Sequence, residues 1–68
     1  MQNANSSNID GVEYDAPQRV LTVQFHGGRV YRYADVPAET FHRFRLADSA
    51  GRFFGREIRG KFASERVR

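Results

Sequence analysis

The stretch GGRVYRYADVP, Gly27 to Pro37, decides how this chain folds, because the length of the turn it begins sets which way Tyr31 and Tyr33 point. Before it, Val20 to Phe25 alternates, with Leu21, Val23 and Phe25 on one face and Val20, Thr22 and Gln24 on the other. That is the period-two signature of a half-buried strand. After it, Val30 to Ala34 reads as the return strand. A two-residue Gly27-Gly28 turn would pair Phe25 with Val30 and set Tyr31 and Tyr33 on the polar face as an exposed aromatic pair. A three-residue His26-Gly27-Gly28 turn, with Gly28 in the left-handed region and a bulge, would set Tyr31 opposite Val23 and Tyr33 opposite Leu21, in the core. A one-residue slip moves every side chain to the other face. The shorter turn would turn Arg32 into the apolar layer beside Val23, and an unpartnered buried charge costs several kcal/mol by order of magnitude. Packing therefore favours the three-residue turn, with both rings packed and their hydroxyls at the rim.

Outward from this hairpin, Ile9 to Tyr14 forms a candidate first strand, with Val12 and Tyr14 on one face and Gly11 marking a bulge. Asp15-Ala16-Pro17-Gln18 supplies the turn that follows. Val36-Pro37 reads as a helix entry, with Pro at the first helical position and Glu39 at the positive end of the helix dipole. Phe41 and Phe44 give that helix a buried stripe, and it should end near Asp48. Ser49 is a candidate N-cap for a second helix reaching Arg59, with Gly60 just past its end. Lys61 to Arg68 reads as an extended tail pinned by Phe62 and Val67. Residues 1–7 are polar and aperiodic, a disordered lead-in to a single domain over residues 8–68. The expected fold class is α+β: a three-stranded antiparallel sheet with two C-terminal helices packed on one face.

Composition narrows the function. A chain of 68 residues buries only about 60% of its unfolded surface, so its nine aromatic rings are needed for the core. Without Cys it has neither disulfides nor thiolate metal ligands, which fits a reducing cytoplasm. No apolar run approaches the roughly 20 residues that span a bilayer, and MQNANSSN has no signal-peptide character, so no membrane role is expected. His26 and His42 are joined by spacing to no nucleophile, acid or metal-ligand cluster. Gly27-Gly28 follows a strand only to begin another, unlike a phosphate-binding glycine fingerprint. The expectation is a non-catalytic module with no cofactor, no metal and no small-molecule substrate.

The charge is unevenly placed. Residues 1–42 hold three Arg against five acidic residues, whereas residues 43–68 hold eight basic residues against three acidic ones. Ten of the eleven basic residues are Arg, whose planar fork grips phosphate in bidentate fashion. On a helical wheel Phe54 and Ile58 share one side with Phe53 flanking, while Arg52, Arg56 and Arg59 fall within a narrow arc beside Gly55. Such a guanidinium ladder is equally the mark of a solvated helix face. Its functional reading is phosphate contact through Arg52, Arg56 and Arg59, with Lys61 and Arg32 as further cations and tyrosine hydroxyls at the rim. The same charges would also serve a protein partner with an acidic surface, and the alternative reading is a protein-interaction module, an adaptor or homo-oligomer, with no nucleic-acid role.

The pieces SSNI, V-E-Y-D, L-x-V-x-F, Y-R-Y, V-P, S-A-G-R-F-F-G-R-E-I-R and F-x-x-E-R-V, in this order from Ser6 to Val67, resemble the KTSC domain. That is a family of short bacterial proteins also found at the C-terminus of some lysyl-tRNA synthetases. The family's central tyrosine motif corresponds to Tyr31-Arg32-Tyr33. The resemblance implies a small binding module, with RNA as the expected partner by analogy with the synthetases. Two positions depart from the pattern: Gly55 stands where the resemblance leads one to expect Asn, and Phe62 where it leads one to expect Tyr.

Overall fold

The computed structural model describes residues 8–68; the lead-in assigned to residues 1–7 lies outside the described residues. Strands β1 (Ile9–Asp15), β2 (Val20–Phe25) and β3 (Val30–Tyr33) are followed by helix α1 (Ala38–Leu46) and helix α2 (Ala50–Phe53), which continues as a π-helical turn over Phe54–Ile58. A fourth strand, β4 (Ser64–Arg66), closes the order, and the sheet runs β1-β2-β3-β4 with every neighbouring pair antiparallel. The α+β class holds, but the sheet has four strands where three were expected. The tail is the fourth: Tyr31 pairs with Arg66, Arg32 with Glu65 and Tyr33 with Ser64. Val67 pins it through its backbone, its N–H donating to the Val30 carbonyl at 2.7 Å, while its side chain stays 48% exposed.

The three-residue turn is the one the chain adopts. Val23 pairs with Tyr31 and Leu21 with Tyr33, and the Phe25 N–H donates to the Arg29 carbonyl at 2.7 Å. Gly27 and Gly28 both sit at positive φ, 94° and 91°, where a Cβ would be strained. The same register puts Leu21, Val23 and Tyr33 into the buried core with Phe44, Phe53, Phe54 and Ile58. On β1 the register shifts between Ile9 and Gly11, the bulge expected at that glycine, and Val12 and Tyr14 pair with Val23 and Leu21.

Where β3 turns into α1, Val36 is fully buried and both of its backbone groups are satisfied from the first hairpin. Its N–H donates to the Arg19 carbonyl at 2.9 Å, and its carbonyl accepts from the Tyr14 hydroxyl at 2.6 Å. The Tyr14 ring also stacks on Phe41 of α1, 4.8 Å between centroids. Pro37 is extended (ψ 149°) and caps α1 one position before the helix instead of opening it; α1 then ends at Leu46, short of Asp48. The Thr40 N–H donates to the Pro37 carbonyl, as expected for a cap.

Ser49 caps α2 as its residue type suggested, its Oγ accepting from the Arg52 N–H at 3.2 Å. The Arg59 N–H donates to the Phe54 carbonyl five residues back, the bond that defines the π turn, and Gly60 at φ 76° ends the helix. Replacing Tyr14 by Phe keeps the ring stack and orphans the Val36 carbonyl. Urea unfolding of Tyr14→Phe should therefore show a loss of about 1–3 kcal/mol with an unchanged m-value.

Candidate functional site

The helices cover one face of the sheet and leave the other open. On the open face a cross-strand row runs Glu13, Thr22, Arg32, Glu65. Arg32 therefore projects away from Arg52, Arg56, Arg59 and Lys61, and the structure does not bring these five together. The open face holds the larger hollow, about 720 Å³, but Glu13, Asp15 and Glu65 surround its one guanidinium. Three carboxylates against one Arg repel a polyanion, so size does not decide the site.

The smaller groove, about 390 Å³, lies on the helix side between the start of β1, the β2–β3 turn and the π turn. Its floor is an aromatic cluster: Phe25 meets Tyr31 and Phe54 edge-on at 5.6 and 5.3 Å, and Tyr33 meets Phe54 edge-on at 5.6 Å. Tyr33 and Phe54 are buried, whereas Tyr31 is only partly buried. Above this floor Arg29 lies over the Phe25 ring at 5.7 Å and Arg59 over the Phe54 ring at 5.9 Å. Asn8, Ile9, Gly51, Gly60 and Ser64 complete the wall, and no carboxylate lines it.

The π turn is what brings Arg59 here. A wheel drawn at 3.6 residues per turn places Arg59 in one arc with Arg52 and Arg56, but a π step closes on the fifth residue and Arg59 itself leaves helical angles (ψ 126°). Its guanidinium then lies beside Gly55, where a Cβ would make an ordinary van der Waals contact at 3.6 Å. Arg56 belongs to a different cluster, lying over Phe53 at 5.9 Å and bonded to Glu57 at 3.2 Å. Arg43 reaches the same carboxylate at 3.8 Å. Glu57 thus neutralises part of that surface. Among the described residues Arg59 has no ion pair, and Arg29 has only a 3.4 Å bond to the His26 carbonyl, so both keep N–H groups for a ligand. Arg52 and Lys61 are exposed and adjoin the groove-lining Gly51 and Gly60 in the chain.

Sequence reasoning missed Arg29, treated only as a turn residue, and Arg66, which β4 sets opposite Tyr31 on the same face. The signal for Arg29 was available, since the three-residue turn places it beside Phe25. Arg66 needed β4 to be seen. His26 faces Asp10 at 3.7 Å with both side chains largely exposed, and no group of three His, Asp or Glu side chains suited to a metal comes together among the described residues.

Residues 5–62 match the KTSC domain. The chain belongs to the KTSC domain family. A KTSC domain protein from Yersinia pestis, known from its crystal structure, superposes with a TM-score of 0.87 at 38% identity, covering 98% of this chain and 94% of that one. A protein of Tsukamurella paurometabola is 37% identical over 62 residues, 91% of this chain and 92% of its own length. A lysine–tRNA ligase of Trichormus variabilis is 34% identical over 59 residues, 87% of this chain but only 10% of the ligase. The KTSC domain is thus a small module that stands at full length in one relative and forms a minor part of another. The Tyr31-Arg32-Tyr33 motif splits by face: its two tyrosines go to the groove and core, and its arginine to the open side.

Burial in this aromatic floor raises the Tyr33 pKa above the ordinary phenol value; the neighbouring Tyr31 phenol raises it further, and the Arg59 guanidinium opposes both. A phenol held neutral in the fold stabilises it fully below the unfolded value of about 10, and that contribution fades as pH rises through the folded pKa. Thermal melts from about pH 9 upward should fall more steeply for wild type than for Tyr33→Phe. Parallel curves would contradict this burial of the hydroxyl.

Proposed function

We propose that this KTSC domain is a non-catalytic binding module for single-stranded RNA, and that the groove between Arg29 and Arg59 is its contact surface. The observation that carries the reading is the groove's chemistry: two guanidiniums without carboxylate partners over an acid-free aromatic floor. Single strands are held by this combination, phosphates on cations and bases on rings. Arg52 and Lys61 flank the groove and extend the contact, while Arg56 is partly neutralised by Glu57 and Arg32 serves the other face. Relatives within lysine–tRNA ligases support the reading by association. A protein-docking role is less well supported, since the large apolar residues exposed among the described ones are two, Leu46 at the end of α1 and Val67 just past β4.

Fluorescence anisotropy with labelled hexauridylate tests this directly. Four cations neutralising phosphates of a single strand give a log–log salt slope of roughly −2 to −3. Arg29→Ala/Arg59→Ala should reduce its magnitude by about 1.4 and weaken binding, and Arg32→Ala should change neither. Binding that is insensitive to salt, or equally weakened by Arg32→Ala, would overturn the assignment.

A further inference from the structure

The two guanidiniums without carboxylate partners do not sit on bare surface. Each is laid across an aromatic ring, Arg29 on Phe25 and Arg59 on Phe54, and those two rings meet edge-on at 5.3 Å. Such stacking holds the planar forks in place without occupying their N–H donors. The partly buried ring of Tyr31 lines the same groove, held by an edge contact to Phe25 at 5.6 Å and by Tyr33 at 6.5 Å. One groove thus holds two cations and a partly exposed ring.

We propose that the groove seats one unstacked nucleotide, its base against Tyr31 and its two flanking phosphates on Arg29 and Arg59. The proposal rests on the RNA-binding reading and gives it a unit of recognition. The volume of about 390 Å³ lies near the lower end of ligand pockets, which run from about 300 to 1,000 Å³, and suits a single nucleotide better than several. A base must leave its stack to reach Tyr31, which makes the site selective for single strands.

The minimal ligand is the bisphosphate pUp, one uridine with a phosphate on each side. It should displace labelled hexauridylate completely, whereas uridine or inorganic phosphate alone should need at least about tenfold higher concentrations, each lacking one half of the contact. In the wild-type protein, ring-proton signals of Tyr31 should move upfield on adding pUp. Tyr31→Leu should weaken pUp about fivefold or more, while Tyr31→Phe should not. Failure of pUp to displace hexauridylate that does bind, or unmoved Tyr31 ring signals in the wild type, would overturn the single-nucleotide site and leave RNA binding standing. If hexauridylate itself does not bind, both readings fall together.

Discussion

The positive-φ pair Gly27-Gly28 fixes how β2 meets β3, and the rest of the molecule is arranged around that register. With Tyr33 opposite Leu21, an aromatic ring enters the core and meets Phe54; with Tyr31 opposite Val23, a second ring lines a groove. Arg32, between them, is sent to water. A slip of one residue would exchange these places, burying a guanidinium and exposing both rings, a difference of several kcal/mol by order of magnitude. The turn also positions Arg29, the first residue after the glycines, over Phe25. A constraint on backbone angles at two glycines thereby places a cation and a ring in the candidate site.

The helices finish what the register begins. Val36, held by Arg19 and Tyr14, ties the end of β3 to the first hairpin and so sets where α1 starts. The Ser49 cap starts α2 on the same side, and the π turn spends one extra residue before the helix ends. That extra residue separates Arg59 from Arg56. One arginine goes to the acid-free groove, and the other goes to Glu57 and Phe53. The charge of the C-terminal half is thereby divided between an occupied surface and an available one.

Much of this was legible in the residues. Alternation from Val20 to Phe25, together with the penalty for burying Arg32, was enough to choose the turn, and Gly11, Ser49 and Gly60 each signalled the local geometry they adopt. β4 was not legible, because Ser64, Glu65 and Arg66 are all exposed and show no apolar alternation; the strand exists to satisfy the outer edge of β3. The π turn was equally hidden, since a helical wheel presumes the period it is used to test. Val36 read only as the residue before a proline, and its burial depends on a hydroxyl 22 positions away. The candidate site was found by half: Arg59 and the two tyrosines came from the sequence, while Arg29 and the loss of Arg56 to Glu57 needed the fold.

The register gives the two faces opposite character: an acid-free groove with two unpaired guanidiniums on one, and three carboxylates around Arg32 on the other. Amide chemical-shift mapping of the isotope-labelled protein with oligouridylate tests it most directly. Shifts are expected at Arg29, Tyr31, Gly51, Arg59 and Gly60, with Glu13, Thr22 and Glu65 unmoved. Shifts centred on the open-face row instead, around Arg32, would contradict it.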